Sequence, residues 1–373
     1  MSSPYPSVLE INLGALAHNY HFIKSKLAKN TKLLGVVKAN GYGSESLAIA
    51  KRLEVLGIDY LAVAYIKEGV LLRTHGVKTP ILVLHPQAPQ FSEMIAHHLE
   101  PSLYSLRALS AFAAAAKDCQ NYPLHIKTNT GLNRLGFSEN DFEAALEILK
   151  NTPQIQIKGL LSHLAASDEL SESSFTKNQI KRFKDHITVF ENSLGQLPLK
   201  HLLNTSGILN FPEAQFEMAR SGIGLYGYSN NPEIDKELRP VASLKCNISQ
   251  IHAIKAGDWV GYNKGFVAHE DMKIATLTIG HADGISRQYG HGKGVVYIQG
   301  KAAPIVGNVC MDMIMVRLPE MEPNEEVIKE GDQIVVFGQG EQSNATRFAA
   351  GAQSISYELL TSIGPRVHRQ IIE

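Results

Sequence analysis

Residues able to do chemistry stand where apolar segments of this chain give way to turns. Residues 33–37 form an apolar run that predicts a buried strand, and Lys38 follows it directly, ahead of a turn rich in Asn and Gly. Burial lowers the pKa of a lysine, and a neutral amine can form a Schiff base with a carbonyl compound. The alternative is a strand-end lysine that extends its amine into solvent. The rest of the chain must show whether a carbonyl cofactor could bind above Lys38.

Several later strands also end in polar residues. They are, in chain order, Lys127, Ser162, His163, Asn204 and Arg220. The last two of these strands are followed by hydroxyl groups and glycine amides at Thr205, Ser206, Gly222 and Ile223. Such donors, in the last two loops of a barrel, are typical of a phosphate site, although each glycine alone is explained by a turn.

A reactive lysine combined with a phosphate site suggests pyridoxal 5'-phosphate. This cofactor needs a lysine, a phosphate site and a partner for its ring nitrogen. Arg220 is placed to be that partner. Because arginine stays charged in proteins, it would keep the ring nitrogen unprotonated and limit the cofactor's strength as an electron sink.

Alternating strands and helices position these residues. The strands predicted from apolar runs begin at Leu33, Asp59, Pro80, Leu99, Leu124, Ile157, Lys200 and Phe216, with helical patterns between them. This rhythm predicts an α/β fold with an N-terminal (β/α)8 TIM-type barrel, whose functional residues lie at the C-terminal ends of the strands. The competing doubly wound sheet would carry a Gly-rich dinucleotide fingerprint after its first strand, and the sequence has none there.

The pattern changes after residue 240 to short strands separated by Gly and Asp turns, which predicts a mostly-β C-terminal domain ending in a helix. We therefore predict three parts. Residues 1–12 form a strand that packs with the C-terminal domain, residues 13–240 form the barrel, and residues 241–373 form the β-rich domain. The polar segment 229–235 is interpreted as a linker.

Composition excludes several classes of function. The 373 residues contain 36 Lys and Arg against 36 Asp and Glu, so neither nucleic acid nor a membrane surface is the expected partner. The N-terminus lacks the pattern of a secretory signal, and no apolar run reaches the ~20 residues of a membrane span. Three scattered cysteines, Cys119, Cys246 and Cys310, indicate neither a metal site nor a disulfide framework. We expect a cytoplasmic protein.

Five segments, in order along nearly the whole chain, resemble motifs of bacterial alanine racemases, pyridoxal-phosphate enzymes of fold type III. They are 37–43, 127–136, 280–284, 306–313, and 355–358 together with 366–367. The resemblance implies a homodimer that acts on a small amino acid, with residues of the β domain completing the partner's active site.

The resemblance also implies roles for individual residues. Lys38 would hold the cofactor and act as one catalytic base, His163 would lie beside its ring, and Arg220 would bond its ring nitrogen. Arg134 would face the phenolic oxygen of the cofactor and the carboxylate of the substrate. The residues expected around the phosphate are Tyr42, Asn204, Thr205, Gly222, Ile223 and Tyr357.

Further residues would support the site. Lys127 matches a lysine that is carbamylated in many members of the family, which would give an anion that orients Arg134. The backbone amide of Met311 would bind the substrate carboxylate, and Asp312 would support its neighbours. Asn129 stands where the family usually has Asp, and we interpret it as structural.

The chain departs from the family at the second base. Racemisation needs proton transfer on both faces of the alpha carbon, and the family's second base is the tyrosine of its Gly-Tyr-Ala-Asp-Gly motif. Here that position is His281. Histidine has an ordinary pKa of about 6.5, against about 10 for tyrosine, so it can serve as a base without strong activation. The alternative is that the second base is lost.

The sequence therefore predicts a racemase that interconverts L- and D-alanine by two bases, Lys38 acting on the D-enantiomer and His281 on the L-enantiomer. Its product would supply peptidoglycan synthesis. The alternatives are a serine or broad-specificity racemase, an amino-acid decarboxylase, and a catalytically weak pyridoxal-phosphate-binding protein. The decarboxylase is disfavoured because its cysteine-bearing C-terminal motif is not evident.

Overall fold

The computed structural model describes residues 4–373, which form two compact units. One unit contains residues 17–41 and 46–238, and the other contains 4–16, 42–45 and 239–373. The strands are β1 (Ser7–Asn12), β2 (Lys32–Val36), β3 (Tyr60–Val63), β4 (Ile81–Val83), β5 (Glu100–Leu103), β6 (Tyr122–Lys127), β7 (Ile155–Leu161), β8 (Leu199–His201), β9 (Met218–Ser221), β10 (Ala242–Ile254), β11 (Trp259–Val260), β12 (Phe266–Val267), β13 (Met272–Leu277), β14 (Val295–Ile298), β15 (Lys301–Val306), β16 (Ile314–Arg317), β17 (Gln333–Phe337) and β18 (His368–Ile372).

Helices follow most strands of the first unit and are few in the second. They are α1 (Leu13–Ser25), α2 (Lys38–Tyr42), α3 (Ser46–Val55), α4 (Ile66–Thr74), α5 (Phe91–Ala96), α6 (Leu106–Ala115), α7 (Phe142–Lys150), α8 (Ser173–Leu194), α9 (Thr205–Asn210), α10 (Pro232–Asp235), α11 (Ala345–Ala350) and α12 (Ser356–Ser362). Within the described residues, none of these helices has the length and apolar character that a bilayer crossing requires.

The first unit is a parallel barrel of eight strands, in the order β8-β7-β6-β5-β4-β3-β2-β9. The Arg220 amide donates to the Leu203 carbonyl at 3.0 Å and so links β9 to the end of β8. Every residue of β3 and β4 is buried, as expected for strands covered on both faces. The predicted TIM-type barrel is confirmed.

The long helix α8 shows how the outer layer packs. Its residues Ile180, Phe183, Ile187 and Phe190 are buried, and their spacing of three to four places them along one face. A helix with one apolar stripe buries that stripe against the strands and leaves its polar face in water. The apolar periodicity of the helix thus determines which of its faces packs against the barrel.

The second unit is a mostly-β domain, as predicted. Its sheet runs β14-β15-β16-β13-β10-β1-β18, and β17 also pairs with β10. The first strand, β1, pairs antiparallel with β10 and parallel with β18. Early residues of β10 alternate between buried and half-buried, the period of two that a strand with one covered face requires.

Three local expectations differ from the structure. The first barrel strand ends at Val36, two residues before Lys38, because residues 39–41 adopt left-handed backbone angles that no strand allows. The predicted linker contains a helix, α10, whose first turn is capped by the Asn231 side chain. Strand β18 was not predicted, since its short segment becomes a strand through pairing with β1.

Candidate active site

Lys38 lies just beyond the C-terminal end of β2, at the mouth of the barrel. The amide of the preceding residue, Val37, donates to the Ala62 carbonyl at 2.8 Å, which attaches the backbone just before Lys38 to the neighbouring strand β3. Lys38 is half-buried, and burial, followed by the nearby charge of Arg134, lowers the pKa of its amine, while Glu68 opposes this shift. Burial therefore shifts this amine toward its neutral, nucleophilic form.

Glu68 is a site residue that the sequence did not reveal. Its carboxylate accepts from the amides of Ala39 at 2.6 Å, Ala64 at 2.7 Å and Tyr65 at 3.1 Å. It thus joins the first turn of α4 to the residue after Lys38. The available signal was an acidic residue in the first helical turn, a common capping position that carries no information about a distant lysine.

The segment after Lys38 is a run of left-handed residues. Ala39, Asn40 and Tyr42 have φ of 53°, and Gly41 and Gly43 have φ of 63° and 81°. Left-handed backbone costs a non-glycine residue about 1–2 kcal/mol. Asn40 offsets part of this cost, because its side-chain oxygen accepts from the Ser46 amide at 3.0 Å.

Arg220 is buried near the end of β9, and both of its terminal nitrogens donate to backbone carbonyls. Its Nη1 donates to the His201 carbonyl at 2.9 Å, and its Nη2 donates to the carbonyls of Ser162 at 2.7 Å and Leu202 at 3.0 Å. Burial and the charge of Arg134 lower its pKa to about 10, so it remains a cation at neutral pH. Its orientation is held by two segments, the residues that follow β7 and the end of β8.

His163 lies beside Arg220 and is neutral. Arg220 Nη2 donates to His163 Nδ1 at 3.2 Å, so this nitrogen is an acceptor and the proton is on Nε2. Burial, followed by the charges of Arg220 and Arg134, holds the pKa of His163 well below its usual value. A neutral ring next to a fixed guanidinium is suited to packing beside an aromatic cofactor.

Lys127 completes a group of cations at the barrel mouth. It is buried, and burial together with the charges of Arg134, Arg220 and Lys38 lowers its pKa to about 8. Such a concentration of positive charge attracts phosphate and carboxylate groups. The neighbouring Asn129 organises the loop, since its side-chain oxygen accepts from the amides of residues 131 and 133, each at 3.1 Å.

The loops after β8 and β9 are joined through their hydroxyl groups. Thr205 Oγ1 and Ser221 Oγ are 3.1 Å apart, and the Gly224 amide donates to Thr205 Oγ1 at 3.3 Å. Asn204 caps α9 by accepting from the Gly207 amide at 2.9 Å. Helix geometry leaves the first-turn amides at Thr205 without intrahelical acceptors, so they can bind an anion.

In the β domain, His281 begins a single turn of 3₁₀-helix, His281–Asp283, and is exposed. Its amide donates to the Cys310 carbonyl at 2.9 Å, and the Ala282 amide donates to the Met311 carbonyl at 3.0 Å. A Cβ at Gly280 would collide with these same carbonyls. The turn that carries His281 is therefore packed directly on the loop that carries Met311.

Arg366 holds this arrangement from a third segment. It donates to both oxygens of Asp283, from Nε at 2.6 Å and from Nη2 at 3.0 Å, and its Nη1 lies 2.7 Å from Asp312 Oδ1. These two carboxylates raise the pKa of Arg366. A planar guanidinium can bridge two carboxylates in this way, whereas an ammonium group cannot reproduce the fork.

Tyr42 and Tyr357 pack together in the same domain. Their ring centroids are 6.1 Å apart, with an interplanar angle of 51°. Burial, followed by the neighbouring Tyr357, raises the pKa of Tyr42, so its phenol stays protonated and is a hydrogen-bond donor. Among the residues that the structure describes, no group of three or more His, Cys, Asp or Glu is arranged to hold a metal ion.

Family models match both parts of the chain. Residues 11–230 match "Alanine racemase, N-terminal domain" and residues 241–371 match "Alanine racemase, C-terminal domain". The chain belongs to the alanine racemase family. It is therefore an enzyme of the isomerase class, as the sequence motifs predicted.

Alanine racemases of known sequence and structure resemble the chain over its full length. The alanine racemase of Syntrophobacter fumaroxidans is 36% identical over 364 residues, covering 96% of this chain and 95% of the relative. The structure of alanine racemase from Clostridium difficile 630 has a TM-score of 0.90 at 33% identity, covering 100% of this chain and 97% of that one. An alanine racemase structure from Bartonella henselae, with covalently bound pyridoxal phosphate, has a TM-score of 0.86 at 28% identity and covers 99% and 100% of the two chains.

The structure brings part of the predicted site together. Within the barrel, Lys38, Arg134 and Arg220 are near enough to Lys127 for their charges to lower its pKa, and His163 is bonded to Arg220. Within the β domain, the His281 turn is bonded to the Met311 loop. The individual roles given to these residues, including the exchange of tyrosine for histidine as second base, stay predictions.

Proposed function

We propose that this alanine racemase interconverts L- and D-alanine with pyridoxal 5'-phosphate as its cofactor and with Lys38 and His281 as its two bases. The observation that carries the proposal is the half-buried Lys38 amine, with its lowered pKa, among the cations at the mouth of the barrel. A lysine with a lowered pKa gives up its proton more readily, and the fixed positive charge beside it suits the capture of a phosphorylated aldehyde.

The residues of the barrel fit this cofactor by their chemistry. Lys38 supplies the amine, and Arg220 supplies a charged donor for the ring nitrogen. When bound, the cofactor withdraws electrons from the alpha carbon of the amino acid and makes its proton removable. The phosphate donors that we propose are Asn204, Thr205, Gly222, Ile223, Tyr42 and Tyr357.

Two bases then move the proton on opposite faces of the alpha carbon. Lys38 takes the proton of D-alanine, and His281 takes the proton of L-alanine and returns one in the reverse direction. Arg134 and the amide of Met311 bind the substrate carboxylate, which fixes the alpha carbon between the bases. The turn that carries His281 is hydrogen-bonded to the loop that carries Met311, so the base and the donor to the substrate carboxylate keep a constant distance.

The site is proposed to be composite. His281 and Met311 are both exposed in the single chain, which is consistent with their contributing to the active site of a second subunit in a homodimer. In the cell we place the enzyme in the cytoplasm, where its D-alanine enters peptidoglycan synthesis.

Chiral chromatography of reaction mixtures tests this proposal. The purified protein is incubated with L-alanine, L-serine and L-lysine, alongside Lys38→Ala and His281→Ala. We expect rapid interconversion of alanine by the parent and a loss of L-alanine turnover of about 100-fold or more in each variant, the range typical of acid–base residues.

His252→Ala is the matched control, since His252 is an exposed histidine on β10 of the same domain. It should keep the parental rate. Equal L-alanine turnover in the parent and His281→Ala would show that His281 is not the second base. Faster turnover of serine or lysine would identify a different substrate, and no turnover with retained cofactor would identify a binding protein.

A further inference from the structure

A chain of buried polar side chains crosses the interior of the barrel behind Arg220. His201 ends β8, His125 lies within β6, and Glu100 begins β5; their exposed fractions are 0%, 0% and 6%. Arg220 Nη1 lies 3.0 Å from His201 Nδ1, His201 Nε2 lies 2.9 Å from His125 Nδ1, and His125 Nε2 lies 3.1 Å from Glu100 Oε2. Gly159 leaves room for the His125 ring, with which a Cβ would collide.

The direction of these hydrogen bonds follows from the donors. Arginine can only donate, so His201 Nδ1 accepts from Arg220. Burial and the charge of Arg220 hold the pKa of His201 well below its usual value, so His201 is neutral and its proton is on Nε2. That proton is donated to His125 Nδ1, and His125 Nε2 in turn donates to Glu100. Every bond in the chain therefore points from Arg220 toward the carboxylate.

Glu100 is a charged end point for this chain. Lys158 Nζ lies 2.8 Å from Glu100 Oε1, and the Tyr60 hydroxyl donates to Oε2 at 3.4 Å. Burial alone raises the pKa of Glu100, but the hydrogen bonds from His125 and Lys158 outweigh it and hold the pKa below its usual value. An ionised carboxylate accepts and never donates, so it selects the tautomer of the imidazole that it binds.

The acceptors that contact Arg220 directly are carbonyl oxygens and imidazole nitrogens, which are uncharged. The charge that lowers the pKa of Arg220 is that of another cation, Arg134. The Glu100 carboxylate is thus joined to a buried arginine by hydrogen bonds through two intervening rings. Polarised chains of this kind strengthen each of their bonds in a low-dielectric interior.

We infer that Glu100 is a positioning residue for the cofactor site: through His125 and His201 it fixes the acceptor tautomer that holds the Arg220 guanidinium against the cofactor ring. This inference rests on the proposed function for the identity of the cofactor. It extends the site from the C-terminal ends of the strands toward their N-terminal ends, because Arg220 is the third of the four residues of β9 whereas Glu100 is the first residue of β5.

The first test needs no variant of Glu100. Nitrogen-15 NMR of the histidine-labelled holoenzyme reports the protonation of each ring nitrogen, with resonances assigned by their loss in His125→Gln and His201→Gln. We expect both rings to be neutral with the proton on Nε2. A proton on Nδ1 of His201, or a charged His125, would overturn the inference.

The second test compares Glu100→Gln with Glu139→Gln. The amide of glutamine can donate or accept a hydrogen bond and has nearly the shape of the carboxylate. Glu100→Gln therefore allows the hydrogen bonds between Glu100 and Arg220 to run in either direction. Glu139 is a matched control, since its Oε1 lies 3.1 Å from Nε2 of another buried histidine, His186, whose Nδ1 lies 3.1 Å from Thr128 Oγ1. No hydrogen bond joins that pair to Arg220 within the described residues.

In Glu100→Gln we expect a second His201 tautomer and pyridoxal-phosphate affinity lowered about tenfold, the effect of one lost charged hydrogen bond. Glu139→Gln should keep both at the parental values. An unchanged tautomer and affinity in Glu100→Gln would overturn the inference, even if thermal stability fell. The NMR measurement of the tautomer does not depend on turnover. A parent enzyme that fails to racemise alanine would therefore refute the proposed function without refuting the role of Glu100.

Discussion

Lys127 is a residue whose chemical state changes the charge of the barrel mouth. Burial and the charges of Arg134, Arg220 and Lys38 lower its pKa from 10.5 to about 8. Near pH 8 a large fraction of its amine is therefore neutral, and a neutral amine adds to carbon dioxide with release of one proton to give a carbamate. That reaction would replace a cation by an anion among three other cations, which is electrostatically favourable.

We expect labelled bicarbonate to give a carbamate resonance in carbon-13 NMR of the parent that is missing in Lys127→Ala. Because the protonated amine cannot react, the resonance should decline as the pH falls below about 8. Lys158→Ala is the control, since Lys158 is a half-exposed lysine of the same barrel. A signal that survives in Lys127→Ala, or none in the parent, would show that Lys127 is not modified.

At the scale of elements, the left-handed segment 39–43 depends on glycine at its end. Gly43 has φ of 81°, and a Cβ there would collide with the Leu360 carbonyl oxygen. We expect Gly43→Ala to lower the free energy of unfolding by about 3 kcal/mol, from left-handed strain and backbone displacement together. Chemical denaturation followed by circular dichroism measures this change.

Ala39→Gly is the matched substitution in the same segment. Ala39 has φ of 53°, so glycine would relieve strain while adding flexibility to the unfolded chain. These effects oppose each other, and we expect a net change within about 1 kcal/mol. Equal effects of the two substitutions would indicate that the Leu360 contact does not limit residue 43.

Arg366 connects three separate segments of the β domain. Its guanidinium donates to both oxygens of Asp283, next to the His281 turn, and contacts Asp312 beside Met311. We expect Arg366→Lys to raise the KM for alanine and lower kcat by about tenfold or more, because one ammonium group cannot hold both loops. Steady-state kinetics in both directions measure this effect.

The melting temperature of Arg366→Lys should change little, since the Arg366 side chain is 48% exposed. Arg317→Lys is a suitable control, because Arg317 forms an exposed ion pair with Glu270 in the same domain. Parental kinetics in Arg366→Lys would argue against a role of this residue in placing His281 and Met311.

At the scale of the whole molecule, a composite site predicts that mixing two inactive variants restores activity. Lys38→Ala and His281→Ala should each be inactive alone. If Lys38 of one subunit works with His281 of the other, a mixed dimer contains one site with both bases intact. Random reassembly of equal amounts should then restore about a quarter of the parental activity, as expected for an isologous dimer.

Sedimentation of the mixture must confirm that dimers form and exchange. Should the two bases belong to the same subunit, every site in the mixed dimer would lack one base and no activity would return. The result therefore decides between the two arrangements.

Local sequence was sufficient for the barrel, and it predicted the end of the barrel at which the site lies. Apolar runs such as β3 and β4 are buried on all sides, so their composition identifies them without knowledge of their neighbours. A parallel barrel then carries Lys38 and Arg220 to the same end, because parallel strands share their C-terminal edge. The reaction and the role of His281 as second base were predicted from the family motifs, because the spacing of residues alone does not indicate them.

Only the tertiary structure decided which residues support that site. The residues that we propose in this role contact partners tens of positions away, as in the contact between Arg366 and Asp283 across 83 positions; they are Glu68, Glu100, His125, His201 and Arg366. Hydrogen bonds between distant segments leave no periodic trace in a sequence, and strand β18 exists only because β1 is beside it. The sequence thus determined the fold and the reactive groups through local patterns, whereas their orientation and charge followed from long-range contacts that folding alone creates.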